Sequence, residues 1–464
     1  MKLHFIGIAG TGMGNAAGLF ARMGFEVRGS DEAVYPPMSD VLDHAGISVM
    51  TPYSAENLNW APDLVVVGNI CRKDHIEVLE AQRRGLPLTS FPALLGKTVL
   101  NSSNVTVVAG THGKTTTSSM LAWIMHFAGV DPGYLIGGVP NDLPGSYEKG
   151  CGNGFVIEGD EYDTAFFDKN PKFIHYRPKN VLLTGVEFDH ADIYRDLDHV
   201  KEQFYRLRAL CPPDGVFISA IENDFAADLA RKTGGVTYGI YGEDAHFTGE
   251  VIDENKSFRT VRFRKGSTII GDYLLKLTGL HNLRNSIGAL GCAVSQELDP
   301  ELCLKAVGEF NGVKRRQEIV GSVNNITIID DFGHHPSAVK LTLEGLRKRF
   351  EGRIISVFEP RSATSRRKVF QKAYSEAFDL SDAVFISAPF DQSRISEDDR
   401  FDSDKLATDL RARGLDSYIE KGYENIRVRI LNFVEPGDTI VFFSSGSFGG
   451  IRTELLNNLE KKYS

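Results

Sequence analysis

Short apolar runs rich in valine and isoleucine recur along the chain, and each leads through a turn into a stretch with helical periodicity. They cover residues 3–8, 64–67, 105–109, 181–183, 326–329, 354–358, 384–386 and 440–443. Continuous apolar strands that alternate with helices are typical of parallel sheets buried on both faces. The pattern therefore predicts the α/β class.

Two polar stretches divide this series of strands and helices. Residues 101–104 separate one α/β series from the next, and residues 311–316 precede a fresh strand. Between them, residues 245–275 alternate polar and apolar positions, which predicts antiparallel strands added to the middle module. A chain of 464 residues has room for about three domains. We expect domains at 1–100, 101–312 and 313–464.

Composition narrows the class of protein. The 61 acidic residues outnumber the 52 basic ones, which argues against a general nucleic-acid binder. The five cysteines are scattered and never spaced as CxxC, so neither a disulfide framework nor a cysteine zinc site is expected. No apolar run approaches the roughly 18 residues of a membrane span, and the apolar start continues into a glycine loop unlike a signal peptide. We expect a cytoplasmic protein with small-molecule partners and leave its oligomeric state open.

A phosphate-binding loop is predicted between the strand at 105–109 and a helix expected over 118–128. Glycines allow backbone N–H groups to face a phosphate in front of a helix N-terminus. Lys114 would reach the terminal phosphates and the Thr115 hydroxyl would ligate Mg²⁺. The strict eight-residue pattern requires glycine where this chain has Val108. The loop residues are Gly110, Thr111, His112, Gly113, Lys114, Thr115 and Thr116.

Acidic residues and histidines follow the next strands. Residues 155–157 read as a strand that delivers Glu158 to its carboxyl end, with further acidic residues through Asp163. A carboxylate from a strand beside the loop would hold a metal against the phosphates, although a solvated acidic loop is the alternative. The strand at 181–183 leads to His190, which on its own is more simply a structural histidine.

Two further turns carry candidate residues. The glycine loop after the first strand resembles a dinucleotide fingerprint with Ala9 at its second glycine position, and the following apolar stretch ends at Asp31. Diphosphate binding is expected there, without implying a nicotinamide cofactor. Residues 328–336 join a strand to a helix. The adjacent His334 and His335 on that turn would point in different directions, which argues against a metal pair, and ordinary N-cap chemistry is the simpler interpretation.

Taken together, these segments resemble the Mur ligase family of ATP-dependent amino-acid ligases of peptidoglycan synthesis. The matching motifs are residues 110–117, 189–190, 281–285, 315–316 and 330–336. The resemblance covers essentially the whole chain. It implies an N-terminal Rossmann-like domain for a UDP-sugar and a central P-loop ATPase domain with a parallel sheet plus a small antiparallel sheet. A C-terminal Rossmann-like domain would bind the amino acid or peptide.

The resemblance also implies roles for individual residues. Lys114 would bind the β- and γ-phosphates of ATP, Thr115 and Glu158 would hold a first Mg²⁺, and His190 would serve a second. The remaining nucleotide contacts would come from Asn282, Asn285, Arg316 and Asp331. The UDP-sugar contacts would come from Gly10, Thr11, Gly12, Asp31 and Asn69. Arg361, at the end of a strand, is our hypothesis for a contact to the peptide carboxylates.

Some positions depart from the family pattern. Gly159 stands where alanine is usual, Gly185 where asparagine is common, and Ser445 and Ser447 in a loop that usually reads Asn-Gly-Gly. At Gly185 the resemblance implies the loss of a side-chain contact. Other members carry a carbamylated lysine after the Asp-His motif, whereas this chain aligns Phe204 there, so we predict no such modification.

Finer motifs address the amine substrate. Residues 35–39, 137–140, 161–169, 172–176, 187–193 and 448–451 resemble members that join UDP-N-acetylmuramate to L-alanyl-γ-D-glutamyl-meso-diaminopimelate in peptidoglycan recycling. The alternative is L-alanine as the amine, because relatives of that kind share the ATP motifs but usually have Glu-Ser-Asp at 161–163.

Two other classes of protein remain open as interpretations of the sequence. A nicotinamide-dependent oxidoreductase leaves Lys114 and Glu158 without a role, and a P-loop switch would bind nucleotide without substrate-dependent turnover.

Overall fold

The computed structural model of the protein describes residues 1–35 and 38–463. Pro36 and Pro37 of the motif at 35–39 lie outside the described residues. The N-terminal part forms a five-stranded parallel sheet in the order β3-β2-β1-β4-β5. Its elements are β1 (Lys2–Ile6), α1 (Thr11–Arg22), β2 (Glu26–Ser30), α2 (Met38–His44), β3 (Ser48–Met50), β4 (Leu64–Val67), α3 (Ile76–Arg83), β5 (Leu88–Thr89) and α4 (Phe91–Lys97).

The central part is built on a ten-stranded mixed sheet in the order β17-β16-β15-β14-β13-β12-β6-β9-β7-β8, with a separate β10–β11 hairpin. Its first elements are β6 (Asn104–Ala109), α5 (Lys114–Phe127), β7 (Gly133–Leu135), β8 (Tyr147–Glu148), β9 (Gly154–Gly159), β10 (Asp163–Ala165), β11 (Asp168–Pro171), β12 (Asn180–Leu183) and α6 (Leu197–Leu210). They are followed by β13 (Phe217–Ala220), α7 (Asp224–Lys232), β14 (Val236–Ile240), β15 (Phe247–Glu254), β16 (Arg259–Lys265), β17 (Thr268–Leu275), α8 (Leu280–Ser295) and α9 (Pro300–Glu309).

The C-terminal part forms a six-stranded sheet in the order β18-β19-β23-β20-β21-β22, with β18 as an antiparallel edge strand. Its elements are β18 (Glu318–Val323), β19 (Ile326–Asp331), α10 (Pro336–Arg349), β20 (Ile354–Phe358), α11 (Gln371–Ala377), β21 (Ala383–Ser387), α12 (Ser403–Ala412), β22 (Asp416–Glu420), α13 (Tyr423–Phe433), β23 (Thr439–Phe443) and α14 (Ile451–Tyr463). Within residues 1–35 and 38–463, the structure has no helix with the length and apolar character of a membrane span.

The α/β class and its parallel sheets are confirmed, as is the antiparallel character of residues 245–275, where β15, β16 and β17 pair antiparallel. Every predicted apolar run coincides with a strand, although the first strand ends at Ile6 because Gly7 turns the chain with a φ of 80°. The helix expected over 118–128 begins four residues earlier, at Lys114, because the polar threonines after the lysine are already helical.

A shared apolar core joins the N-terminal and central sheets. Phe5 and Phe20 on the first sheet belong to the same buried cluster as Val107 and Phe155 on the second. A buried hydrogen bond of 3.0 Å from Asn15 Nδ2 to the carbonyl oxygen of Ile136 crosses the same boundary. The C-terminal sheet instead has its own apolar clusters. The N-terminal and central sheets are therefore packed as one body.

Candidate active site

A cavity of about 540 Å³ lies at the carboxyl ends of the central strands and is closed on one side by the C-terminal part. Most of the predicted nucleotide and metal residues line this one cavity. They are Thr111, His112, Gly113, Lys114, Thr115, Thr116, Glu158, His190, Asn282, Asn285, Arg316 and Asp331. Gly110 lies at the base of the loop, directly after β6. Predicted residues up to 220 positions apart in sequence thus meet in one place.

The loop between β6 and α5 is held open by the neighbouring strand end. The Thr111 N–H donates to the carbonyl oxygen of Gly185 at 2.9 Å, and the Thr184 hydroxyl donates to that of His112 at 2.5 Å. Gly110 and Gly113 have positive φ values of 129° and 81°, a backbone region that glycine tolerates. The N-terminus of α5 follows directly, so its free N–H groups point into the cavity as an anion-binding site requires.

The Lys114 ammonium is fully engaged at the centre of the cavity. Its Nζ donates to the carbonyl oxygen of Gly110 at 2.6 Å and to Glu161 Oε2 at 2.8 Å. Burial disfavours the charge, but Glu161 and Asp160 outweigh burial and raise the pKa of Lys114. Glu161 is not among the residues that the sequence predicts for the site, although it belongs to the acidic run that follows β9.

Oxygen atoms of Thr115 and Glu158 face each other beside the lysine. Thr115 Oγ1 lies 3.2 Å from Glu158 Oε2, and the other carboxylate oxygen accepts the Gly137 N–H at 2.6 Å. Burial raises the pKa of Glu158, while the Gly137 hydrogen bond and Lys114 oppose the rise. Arg316 reaches this pair from the C-terminal side, with Nη2 3.2 Å from Thr115 Oγ1. A hydroxyl and a carboxylate are the hard oxygen donors that suit Mg²⁺.

His190 lies in a second cluster with Asp160 and Glu161. One potential ligand atom from each side chain lies within 4.8 Å of the others, and His190 Nε2 is 3.5 Å from Glu161 Oε1. The residue adopts a φ of 53°, which a non-glycine residue rarely does without a surrounding constraint. Burial works against the charged imidazole, but the Glu161 hydrogen bond and charge raise the pKa of His190 to about 9.

This shift predicts a pH dependence of stability. Because the folded-state pKa of about 9 exceeds the ordinary value of 6.5, the contribution of His190 is fully present below about pH 6.5 and is lost as the pH rises to 9. We expect the urea-unfolding free energy of the protein to fall across this window, and the fall to be smaller in His190→Gln. Equal slopes for both proteins between these pH values would contradict the assignment.

The residues predicted to contact the nucleotide lie on α8 and at the end of β19. Asn282 Nδ2 donates to the Thr278 carbonyl at 2.8 Å, and Asn285 Nδ2 lies 3.3 Å from Asn282 Oδ1. Asp331 accepts the backbone N–H groups of Gln317 at 3.0 Å and Gly333 at 2.6 Å. Burial raises the pKa of Asp331 to about 6. These side chains are fixed in position before any ligand arrives.

The turn after β19 confirms the N-cap interpretation for one of its two histidines. His335 Nδ1 accepts the Ser337 N–H at 3.3 Å at the start of α10. Burial lowers the pKa of His335 to about 4. The adjacent His334 has Nδ1 3.1 Å from the Phe332 carbonyl oxygen, and both histidines line the cavity. The two rings therefore have different surroundings.

Direct contacts between the central and C-terminal parts were not foreseen. The Thr364 hydroxyl donates to Asp189 Oδ1 at 2.7 Å in a buried position, and the Ser337 hydroxyl donates to Glu187 Oε2 at 2.9 Å. The partners are 175 and 150 residues apart, and nothing in their local sequence pairs them. Both acceptors lie on the segment that leads to His190 and line the cavity, so the two contacts hold the C-terminal part against it.

The predicted UDP-sugar residues gather at the carboxyl edge of the N-terminal sheet. Gly10 precedes α1, which begins with Thr11 and Gly12, while Asp31 follows β2 and Asn69 follows β4. Asp31 is already engaged, since its carboxylate accepts the Ala9 N–H at 2.9 Å. It stabilises the glycine loop in this structure. A ligand contact by these five residues stays a prediction.

Arg361 follows β20 and has a structural partner. Its guanidinium carbon lies 3.9 Å from the centre of the Phe390 ring, and Nη1 is 3.3 Å from the buried carboxylate of Glu359. The side chain is 29 % exposed, so part of the guanidinium faces solvent. Charge neutralisation of Glu359 accounts for part of its role, and the contact to peptide stays a prediction.

The departures from the family pattern at Gly159 and Gly185 have local explanations. A Cβ on Gly159 would lie 2.6 Å from Val107 Cγ1, so the strands around this glycine leave no room for alanine without a shift. Gly185 has a φ of 137°, a glycine conformation, and supplies its carbonyl to the phosphate loop. Phe204 is 1 % exposed within the apolar core, which agrees with the absence of a lysine there.

Comparisons with known proteins agree across the three sheets. Residues 2–102 match the model described as "Mur ligase family, catalytic domain", residues 108–293 "Mur ligase middle domain" and residues 315–446 "Mur ligase, glutamate ligase domain". The UDP-N-acetylmuramate–L-alanyl-γ-D-glutamyl-meso-2,6-diaminoheptandioate ligase of Escherichia coli (strain K12) is 36% identical over 100% of this chain and 99% of its own length.

Two further relatives are named for the two alternative kinds of amine substrate, a murein peptide and L-alanine. The crystal structure of a murein peptide ligase from Psychrobacter arcticus 273-4 has a TM-score of 0.76 and 35% identity, covering 99% of this chain and 98% of its own. A UDP-N-acetylmuramate–L-alanine ligase of Desulfitobacterium hafniense (strain Y51) is 30% identical over 96% of this chain and 97% of its own length.

Proposed function

Since the chain belongs to the Mur ligase family of ATP-dependent ligases, we propose that it joins UDP-N-acetylmuramate to the tripeptide L-alanyl-γ-D-glutamyl-meso-diaminopimelate. The convergence of the phosphate loop, Glu158, His190 and Arg316 around one cavity carries the proposal that ATP drives the reaction. The tripeptide is proposed because the relative from Escherichia coli, named for that substrate, is more similar than the alanine ligase, at 36% against 30% identity.

The first step we propose is phosphoryl transfer to the lactyl carboxylate of the sugar. A carboxylate oxygen attacks the γ-phosphorus of ATP, the bond to the β–γ bridging oxygen breaks, and ADP leaves with that electron pair. Enzymes accelerate such transfers mainly by positioning and by neutralising charge on the phosphoryl oxygens. Lys114 is suited to this, because its ammonium stays charged and needs only to exchange Glu161 for phosphate oxygens.

The second step is amide formation. The free α-amine of the tripeptide attacks the carbonyl carbon of the acyl phosphate formed in the first step. The C–O bond to phosphate breaks, phosphate leaves with that electron pair, and the amine proton passes to the released phosphate or to water. Contact between the C-terminal part and the cavity through Asp189 and Thr364 would exclude water from the acyl phosphate, which hydrolysis would otherwise consume. Positioning of the amine is the contribution we assign to the C-terminal part.

The oxygen donors described above fit a magnesium ion. Thr115 and Glu158 would hold one Mg²⁺, and His190 with its acidic neighbours would hold a second. The metal would supply neutralisation of phosphate charge. We assign the UDP-sugar to residues 1–100, ATP to 101–312 and the peptide to 313–464.

Phosphate release distinguishes the possible substrates. With ATP, Mg²⁺ and UDP-N-acetylmuramate, we expect rapid phosphate release and a new amide product when the tripeptide is added, and a much lower kcat/KM with L-alanine. A higher kcat/KM for L-alanine would replace the tripeptide proposal with the alanine one. Nucleotide binding without release in either mixture would instead indicate a switch or binding module.

A further inference from the structure

A second group of metal-compatible side chains lies where the central and C-terminal parts meet. His112 comes from the phosphate loop, Glu187 from the segment after β12, and His335 from the start of α10. One ligand atom from each side chain lies within 4.8 Å of the other two. His112 Nε2 is 3.4 Å from Glu187 Oε2, and the two imidazole centroids are 4.7 Å apart.

Two of these side chains carry buried nitrogen atoms that make no hydrogen bond with another described residue. The Nε2 atoms of His112 and His335 have essentially no exposed surface and, within the described part of the chain, accept or donate no hydrogen bond. The His335 residue as a whole is only 6 % exposed. Buried polar atoms are nearly always paired. The His335 nitrogen has no partner, and the His112 nitrogen has only the Glu187 carboxylate at 3.4 Å among the described residues, so both are free to bind an ion.

We propose that His112, Glu187 and His335 form a binding site for a divalent transition-metal ion of the Zn²⁺ type. Two imidazoles and one carboxylate are a donor set that such ions favour, with a fourth position left to water. Metal-to-donor distances of about 2.0–2.2 Å place tetrahedral donors about 3.4 Å apart. The His112–Glu187 separation of 3.4 Å already meets that requirement.

This site differs in chemistry from the magnesium positions of the proposed function. Thr115 and Glu158 offer oxygen donors, whereas the new group offers two imidazole nitrogens, which suit Zn²⁺ and Co²⁺ better than Mg²⁺. Excess Mg²⁺ is therefore not expected to displace the ion.

Binding through Nε2 of His335 has an identifiable cost. Its Nδ1 now accepts the Ser337 N–H at 3.3 Å, and coordination at Nε2 would move the ring proton to Nδ1 and remove this hydrogen bond. The bond is long, so its loss is small beside three metal–ligand bonds. The ion would then tie the phosphate loop to the first turn of α10 and fix the C-terminal part against the cavity.

Cobalt provides a direct probe of the site. Co²⁺ is titrated into the full-length protein in excess Mg²⁺, and visible absorption of a four-coordinate ion is recorded with and without competing Zn²⁺. We expect one equivalent of absorbing Co²⁺, displacement by Zn²⁺, and a rise in Tm on adding Zn²⁺ alone. His335→Asn should weaken Co²⁺ binding at least tenfold, while its asparagine still caps α10.

His190→Asn is the matched control, because it disables the Asp160–Glu161–His190 cluster and should leave the absorbing Co²⁺ in place. Loss of the signal in His190→Asn but not in His335→Asn would overturn the proposal and assign the ion to that cluster. Absence of an absorbing species in the unmodified protein would also overturn it. If His335→Asn does not fold by circular dichroism, Glu187→Gln decides in its place, because glutamine can still accept the Ser337 hydroxyl. Neither result bears on ATP-dependent ligation, which is assayed separately.

Discussion

Lys114→Ala is expected to lower the rate of ATP-dependent ligation by a factor of about 10³ or more. Removing a single donor that stabilises developing charge costs about 3–4 kcal/mol of transition-state stabilisation in well-studied enzymes. Lys114 carries a full positive charge at the centre of the phosphate loop, so we expect the cost of its loss to lie at the upper end of this energy range. Phosphate release at saturating ATP and both other substrates measures the effect.

The lysine also neutralises buried acidic groups, so folding must be checked alongside activity. Without Lys114, the carboxylate of Glu161 loses its 2.8 Å partner and, among the described residues, keeps the His190 contact. We expect a lower Tm but a native circular dichroism spectrum. Lys232→Ala, which removes an exposed lysine paired with Asp228 on α7, should change neither activity nor Tm appreciably. Substantial residual turnover by folded Lys114→Ala would remove the lysine from the mechanism.

Gly113→Ala should lower kcat/KM for ATP by about a hundredfold, the size of effect that misplacement by about 1 Å can produce at an active site. The residue has a φ of 81°, and an added Cβ would lie 2.6 Å from Asn285 Oδ1. Asn285 is only 5 % exposed and cannot move without disturbing Asn282. Both the loop and the predicted nucleotide contacts would therefore shift.

The opposite end of the same helix offers a matched control. Gly129, which follows α5, has a φ of 78°, and a Cβ there would meet no atom within 4 Å. Gly129→Ala should therefore show the backbone strain alone, about 1 kcal/mol of stability, with kcat/KM unchanged. If the two variants have equal kcat/KM for ATP, contact with Asn285 is not what the glycine at 113 avoids.

The parts of the fold that could be predicted are those whose apolar and polar residues follow a local periodic pattern. Runs such as 354–358 are apolar throughout because both faces of the strand are buried, so pattern alone identifies them. The edge strands β8 and β18 were not predicted from the sequence, because β8 (Tyr147–Glu148) is only two residues long and β18 is half exposed. Their pairing depends on a neighbour already in place. Domain boundaries near 100 and 312 stay predictions.

Some features of the site could likewise be predicted from local sequence, and others could not. The positions of Lys114, Thr115 and Glu158 followed from strand ends that open onto one edge of a parallel sheet. The engagement of Lys114 by Glu161 did not follow, because three acidic residues after β9 are equivalent in sequence and differ only in which way the turn directs each side chain. The Thr364–Asp189 contact depends on the placement of two separate sheets and has no local signal.

The apolar cluster that joins Phe5 and Phe20 to Val107 and Phe155 affects how the molecule unfolds. Two sheets with a common interior cannot lose their structure independently, because opening one exposes the buried surface of the other to water. Amide protons on β1 and β6 should therefore exchange at similar, slow rates, while the separately packed C-terminal strands can open at a different free energy. A fragment truncated near residue 312 would retain a complete interior, whereas one that begins near residue 101 would leave half of an interior uncovered and prone to aggregate.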